Sequence, residues 1–280
     1  MIEDLRIAPM SRDDLALAID WAAREGWNPG LDDAAAFHAA DPQGFLMGWL
    51  ANRPVAAVSV VRHSDSFGFL GFYLCDPDFR GRGLGLAIWQ AGIARLGNRT
   101  IGLDGVPDQQ ANYAASGFKL AHTSQRHGGQ IAGRMHVAHS LAASGDIGEL
   151  LTLDGKINGF ARRAYLTAWF RSSPTRQTWV HRQDGSLRAA GTIRACRQGH
   201  KIGPLYADDA ETAHAMMQTL VQAADASDVF IDIPDPNTEA VNLAKDLGLT
   251  SSFACARMYR GTPPGRKLDR VYGEVSFELG

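Results

Sequence analysis

The segment LCDPDFRGRGLGL, residues 74–86, separates two stretches with different hydrophobic patterns. The stretch that leads into it, FGFLGFYLC over 67–75, is apolar and aromatic, which is typical of a buried strand. The stretch that follows, LGLAIWQAGIARL over 84–96, has the composition and length of a helix that ends at Gly97. Glycines in such a turn allow a ligand close to the main chain, and the helix start has unpaired N–H groups. The segment therefore predicts a site for a phosphate-like anion.

The same segment resembles a family signature. It matches neither the dinucleotide fingerprint nor the phosphate-loop pattern. It does resemble the R/Q-x-x-G-x-G/A signature of the GNAT acetyltransferase superfamily, with Arg80, Gly83 and Gly85 at its three positions. The resemblance implies that the anion is the pyrophosphate of acetyl-CoA, the cosubstrate; an ordinary glycine-rich connection is the alternative. The implied cofactor-binding residues are Leu74, Cys75, Arg80, Gly81, Arg82, Gly83, Leu84, Gly85 and Leu86.

A second element, NYAASGF over 112–118, also resembles the family. There a tyrosine four residues before a Gly-Phe pair reaches the CoA sulfur, which makes Tyr113 the expected general acid for the departing thiolate. The alternative is a tyrosine packed on its helix with the hydroxyl in water. Val106 stands where many members have asparagine, so the cofactor contacts of that loop are left open.

The sequence does not identify a general base. The main chain of Leu74 and Cys75 is expected to polarise the acyl carbonyl. No carboxylate lies on 67–74, where some family members carry glutamate. The candidates left open are Tyr73, Asp104, His122, groups near Trp27, or a water chain.

The acceptor site is predicted from architecture. Trp27 lies in the proline-bounded turn GWNPG over 26–30, and its ring could form an apolar wall or a cation-π contact; a buried helix-end anchor is the alternative. Asn28 and Tyr73 are further candidate substrate contacts. A second folded half would narrow the acceptor face, so a small-molecule amine is expected.

Residues 202–249 repeat the layout of residues 70–118 as strand, helix, strand and helix. In place of the glycine turn the second copy has ADDAE over 207–211, where Asp208 and Glu211 suggest a capping box and would repel a pyrophosphate. Ala244 stands where the first copy has its tyrosine. The second copy is therefore interpreted as a relic of the fold without a cofactor site.

The whole chain resembles tandem GNAT proteins with a YitH-like degenerate C-terminal domain. GWNPG near the start, IGPL at 202–205 and SFELG at 276–280 fit that group. The expected fold is α+β, with two GNAT-like domains, each a mixed, mostly antiparallel central sheet flanked by helices. We place the domains at 1–142 and 147–280, with the small and polar stretch 140–148 as linker.

Composition limits the remaining possibilities. A formal net charge of −2 in 280 residues provides no field that would attract nucleic acid or an anionic membrane. The start, MIEDLRIAPM, lacks the pattern of a signal peptide, and three scattered cysteines favour a reducing cytoplasm. No histidine pattern suggests a metal. The expected activity is N-acetylation of a small primary amine; a non-catalytic acyl-CoA-binding module is the alternative, and oligomeric state is left open.

Overall fold

The computed structural model describes residues 5–280. The first four residues of MIEDLRIAPM, the start that was predicted not to be a signal peptide, lie outside the described residues. The strands are β1 Leu5–Pro9, β2 Phe45–Leu50, β3 Arg53–Arg62, β4 Phe67–Cys75, β5 Thr100–Gly105, β6 Lys119–Gly129, β7 His139–Leu141, β8 Arg176–Gln183, β9 Ser186–Ala195, β10 His200–Ala207, β11 Val229–Pro234, β12 Thr250–Arg260 and β13 Val271–Gly273. The helices are α1 Arg12–Arg24, α2 Asp33–Ala40, α3 Leu84–Leu96, α4 Gln110–Ala115, α5 Ile147–Asn158, α6 Arg163–Trp169, α7 Ala210–Ala223 and α8 Thr238–Asp246.

All thirteen strands belong to one sheet. Its order is β1-β2-β3-β4-β5-β12-β6-β11-β10-β9-β8-β7, and β13 pairs with β10. Strand β12, from the second half of the chain, therefore lies between β5 and β6 of the first half. A buried ion pair links two of these strands: Arg257 on β12 donates two hydrogen bonds to Asp104 on β5, at 2.6 and 2.7 Å. The two halves thus share a continuous sheet.

Strand β4 turns away from β5 halfway along its length. The two strands pair in parallel only as far as Leu70 and Leu103. The register of β4 against β3 then shifts, and Phe72 at this shift has a positive φ of 45°, which is rare for a residue with a bulky side chain. The bulge opens a V-shaped gap between β4 and β5.

The second half has the same gap, but the chain itself fills it. Strand β10 pairs in parallel with β11 only up to Ile202, and its register against β9 then shifts. Strand β13 enters the opening and pairs with Leu205 and Tyr206 of β10, while the N–H of Glu274 donates to Asp232 on β11 at 2.8 Å. No such strand of the described residues enters the gap between β4 and β5.

Helix α3 covers one face of β3 and β4, and its buried residues include Ile88 and Trp89. On the other face, α1, α2 and α6 enclose a core that includes Phe37, Phe72 and Trp169. The stretch 140–148, predicted as a linker, is partly regular structure, because β7 extends into it and pairs with β8, and α5 begins at Ile147. Among residues 5–280, no helix is long and apolar enough to cross a membrane.

Candidate active site

An open groove of about 500 Å³ runs past the start of α3. Gly83 is the N-cap of this helix, with a φ of 79°, and Gly81 has a φ of 75°, so both use the left-handed region that glycine tolerates best. No side chain caps the helix, whose first-turn N–H groups remain available. The groove is lined by Glu25, Trp27, Tyr73, Leu74, Cys75, Phe79, Arg80, Gly81, Gly83, Leu84, Gly85, Leu86, Val106, Asp108 and Gln109.

The corresponding helix of the second half is capped. Asp209 accepts a hydrogen bond from the N–H of Thr212 at 2.8 Å. Asp208 instead forms ion pairs with Arg188 and Arg270. The predicted capping box of Asp208 and Glu211 is therefore replaced by a cap one residue later, because Asp208 is held by the two arginines.

The third signature glycine has a specific steric role. A Cβ at Gly85 would lie 2.9 Å from the hydroxyl oxygen of Tyr73. Gly85 therefore makes room for the phenol of β4 against the first turn of α3. The exposed side chain of Leu86 continues the groove wall on the same turn.

The two signature arginines lie in different places. Arg80 borders the groove, where it pairs with Glu25 at 2.5 Å and donates to the carbonyl of Cys75 at 3.1 Å. Arg82 is exposed, packs its guanidinium 5.0 Å from the ring centre of Phe79, and is not among the residues that line the groove. Arg80 is thus the arginine closer to a ligand in the groove.

The groove continues into a smaller inner cavity of about 70 Å³, in the gap between β4 and β5. Trp27, Tyr73, Val106 and Gln109 line both spaces. Both halves of the chain contribute to the inner cavity. Its other lining residues are Leu70, Gly71, Phe72, Leu103, Asp104, Tyr113, Arg126, Phe253, Cys255, Phe277 and Glu278.

Tyr113 reaches the inner cavity from α4. Its ring stacks on Trp89 with centroids 5.4 Å apart, and only 7% of the residue is exposed. Burial raises the pKa of Tyr113 well above its usual value, with smaller effects from Tyr73 and Cys255. The phenol therefore stays protonated over any ordinary pH and can act as a proton donor.

Tyr73 lies where the groove and the inner cavity meet. Its ring packs edge-on against Trp89 with centroids 5.2 Å apart. Burial, and then Cys75, raise the pKa of Tyr73. This environment does not favour the phenolate that a general base would require.

The other two named base candidates have buried side chains. Burial raises the pKa of Asp104 to about 6 in spite of Arg257, but both carboxylate oxygens accept hydrogen bonds from that arginine. Burial and then Arg257 lower the pKa of His122 to about 3, and His122 is not among the residues that line the inner cavity. Asp104 lines the inner cavity, but Arg257 engages both of its oxygens, and His122 lies outside the cavity lining.

Trp27 is half-buried at the junction of the two spaces, and its ring centroid is 6.2 Å from that of Phe72. Its carbonyl accepts hydrogen bonds from Arg126 at 3.0 Å and Lys201 at 2.9 Å, so its main chain is held independently of the ring. Asn28 exchanges two hydrogen bonds with the main chain of Gln198, at 2.8 and 3.0 Å. The side chain of Asn28 thus links the turn at 26–30 to the second half of the chain.

Glu278 is one of several cavity residues that were not predicted from the sequence as site residues. Glu278 belongs to the segment 271–280, called here the return segment, which passes from the gap in the second half to the inner cavity in the first. In the sequence, SFELG at 276–280 is only a point of family resemblance. Glu278 was not predicted as a site residue, because it is not at a fixed spacing from any recognised motif. Among residues 5–280, no group of three or more His, Cys, Asp or Glu side chains is placed to hold a metal.

Both halves match family models. Residues 13–118 match the acetyltransferase (GNAT) family, and residues 150–273 match an acetyltransferase (GNAT) domain. The chain is 32% identical over 277 residues to holothin acyltransferase of Pseudoalteromonas sp. (strain SANK 73390), which covers 97% of this chain and 93% of that protein.

Two of the solved structures that are similar to this chain illustrate the shared fold. A candidate acetyltransferase from Pyrococcus horikoshii aligns with a TM-score of 0.84 and 19% identity, covering 100% of this chain and 97% of that one. A tandem GNAT protein from the clavulanic acid biosynthesis pathway aligns with a TM-score of 0.62 and 16% identity, covering 91% and 98%. The predicted α+β fold with two GNAT domains is confirmed. The chain therefore belongs to the GNAT acetyltransferase family and is an acyltransferase with two GNAT domains in tandem.

Proposed function

We propose that the protein is a cytoplasmic N-acetyltransferase that transfers the acetyl group of acetyl-CoA to a primary amine of a small molecule. The observation that carries this proposal is the path from the uncapped start of α3, along the groove, to the inner cavity between β4 and β5. The path offers anion-binding N–H groups at one end and a protonated phenol at the other.

In this proposal the turn residues Gly81 and Gly83 and the first turn of α3 bind the pyrophosphate, because their N–H groups and the helix dipole favour an anion. Arg80 at the rim adds a cationic donor. The strand end formed by Leu74 and Cys75 directs main-chain groups at the acyl carbonyl.

The reaction is direct attack. The amine nitrogen forms a bond to the acyl carbon, and the carbon–sulfur bond breaks. Tyr113 gives its proton to the leaving sulfur, because the buried phenol is in its protonated form. Tyr73, at the junction of the groove and the cavity, orients the thioester.

The proposed acceptor is small because the inner cavity is narrow and enclosed. Phe253 and Phe277 of the second half line the inner cavity and do not line the groove. A folded protein surface could not enter this space.

The second half is proposed to bind no CoA. The cap by Asp209 occupies a helix N–H group, and β13 fills the gap between β10 and β11. We propose that the two domains are residues 1–142 and 147–280. Strand β12 of the second domain lies between β5 and β6 of the first.

The test is release of free CoA thiol from acetyl-CoA with a panel of primary amines, together with holothin, the acceptor named for the relative. We expect turnover with compact amines and a measurable acetyl-CoA affinity by calorimetry. Acetyl-CoA binding without acylation of any amine would contradict the proposed transfer. Absence of acetyl-CoA binding would contradict the groove assignment.

A further inference from the structure

Glu278 presents a buried carboxylate to the inner cavity without a direct partner. Only 4% of the residue is exposed, and it lines the cavity together with Tyr73 and Tyr113. Its Oε2 atom is fully buried and accepts no hydrogen bond. Within the part of the chain that the structure describes, no arginine, lysine or histidine nitrogen lies within 4.0 Å of the carboxylate.

The cations around Glu278 are engaged elsewhere. Arg126 is paired with Asp232, to which it donates two hydrogen bonds, at 2.7 and 2.9 Å. Lys201 donates to the carbonyl of Trp27 at 2.9 Å, and Arg194 pairs with Asp33 at 3.2 Å. These charges act on Glu278 only from a distance. They leave its oxygens without a direct partner.

The position of Glu278 is fixed by its neighbours in the return segment. His63 forms a hydrogen bond of 2.9 Å to the carbonyl of Leu279, and Arg162 donates to the carbonyl of Gly280. The N–H of Leu279 donates to the hydroxyl of Ser276 at 3.2 Å. The main chain is thus anchored through its own groups, and the carboxylate itself takes no part in the anchoring.

We infer that Glu278 is the general base of the reaction and the binding site for the acceptor ammonium. This inference rests on the proposed N-acetylation. An unpaired buried carboxylate is costly, and a cationic ligand in the cavity would supply the partner that it lacks. As the nitrogen bonds to the acyl carbon, Glu278 accepts the proton that the nitrogen loses, while Tyr113 donates one to the departing sulfur.

The same geometry defines the acceptor class. Trp27, Phe253 and Phe277 line the same small cavity of about 70 Å³ as Glu278. The matching substrate is a compact primary amine whose ammonium lies next to a flat or apolar body. Acidic amines are disfavoured, because a second carboxylate would meet that of Glu278, and Arg126, a cation that lines the cavity, is already paired with Asp232.

The experiment compares Glu278→Gln with wild type in the full chain. The substitution keeps the shape and removes the charge and the basicity. We expect kcat/KM for the amine to fall by about 100-fold to 10,000-fold, the usual range for one acid–base group. The Kd of acetyl-CoA should change by less than about twofold, and the melting temperature should stay or rise, because an unpaired buried charge is removed.

Glu211→Gln, on the exposed start of α7, is the matched control and should leave all three measurements unchanged. Glu278→Asp should lose activity too, because the shorter side chain withdraws the base from the amine. If wild type acetylates amines and Glu278→Gln does so at the same rate, the inference is wrong and the proposed function stands. If Glu278→Gln lowers the melting temperature but the folded protein keeps its kcat/KM, Glu278 is structural. If wild type acetylates none of the amines, both fail.

Discussion

The carbonyl oxygen of Glu278 lies 2.0 Å from the position that a Cβ on Gly71 would occupy. Gly71 is the residue of β4 directly before the bulge at Phe72. The carbonyl of Glu274 has the same relationship to Gly203 of β10 in the second half. The return segment therefore passes closely over the equivalent strand of both halves, and a glycine permits each approach.

Gly71→Ala is expected to displace the return segment and with it Glu278. The added methyl group meets main-chain atoms that have no flexible end to move, so we expect destabilisation of about 1 to 3 kcal/mol and a drop in turnover. Acetyl-CoA affinity should be affected less, since the groove is lined by other residues. The control is Gly48→Ala on β2, where the nearest atom is the end of the Leu5 side chain at 3.3 Å. Equal turnover in both variants would show that the contact at Gly71 is unimportant for catalysis.

Gly83→Asp is expected to abolish acetyl-CoA binding, because it places a negative charge, and a cap of the Asp209 kind, where the pyrophosphate would bind. Gly83→Asn has almost the same shape and tolerates a positive φ equally well. Calorimetry should show that Gly83→Asp binds acetyl-CoA with a Kd at least about tenfold higher than that of Gly83→Asn. This difference corresponds to the expected effect of one negative charge at the start of a helix. Similar affinities would remove the phosphate site from this turn.

Tyr113→Phe should lower kcat by about 10-fold to 10,000-fold while the Kd of acetyl-CoA stays near its original value, because only the proton donor is lost. The stacking on Trp89 is kept by the phenylalanine ring. Tyr73→Phe is the comparison, since Tyr73 lines both spaces. If Tyr73→Phe were the slower variant and Tyr113→Phe had full activity, the general acid would be Tyr73.

Trp27→Ala should raise the acceptor KM by about tenfold, the effect of losing one aromatic contact of roughly 1.4 kcal/mol. The melting temperature should change little, because the main chain of this turn is held by Arg126 and Lys201. Trp27→Phe should recover most of the KM. A large loss of thermal stability with an unchanged KM would instead place Trp27 in the core.

Stability should fall as the pH drops from about 6.5 to about 4, and His63 should account for part of this loss. Burial, and then the charge of Arg162, lower the pKa of His63 to about 4, below the value near 6.5 of an unfolded chain. In that window the unfolded state binds more protons, so acid favours unfolding. His63→Gln should flatten the dependence of melting temperature on pH. Parallel curves for wild type and His63→Gln would show that His63 does not titrate in this way.

The sequence alone was sufficient for the elements whose signals are local. Helix α3 was predicted over 84–96 and has those bounds, because glycines on either side of an apolar periodic stretch mark where it begins and ends. The repeat at 202–249 and the missing glycines before α7 were also readable, since each depends on residues close together in the chain. The cofactor-binding residues and the role of Tyr113 come from motif resemblance and stay predictions.

Only the tertiary structure decided how the inner cavity is completed. Strand β12 lies beside β5, β13 fills the gap in the second half, and Glu278 approaches Gly71. Each of these contacts joins residues that are far apart in sequence. The contacts depend on main-chain pairing or on burial, and many different apolar or small side chains are compatible with both. Hydrophobic periodicity shows that a strand is buried, but it does not specify which distant strand will be its neighbour. No motif in the sequence therefore indicated Glu278, the proposed base, which is identified only because the fold brings the return segment to the bulge of β4.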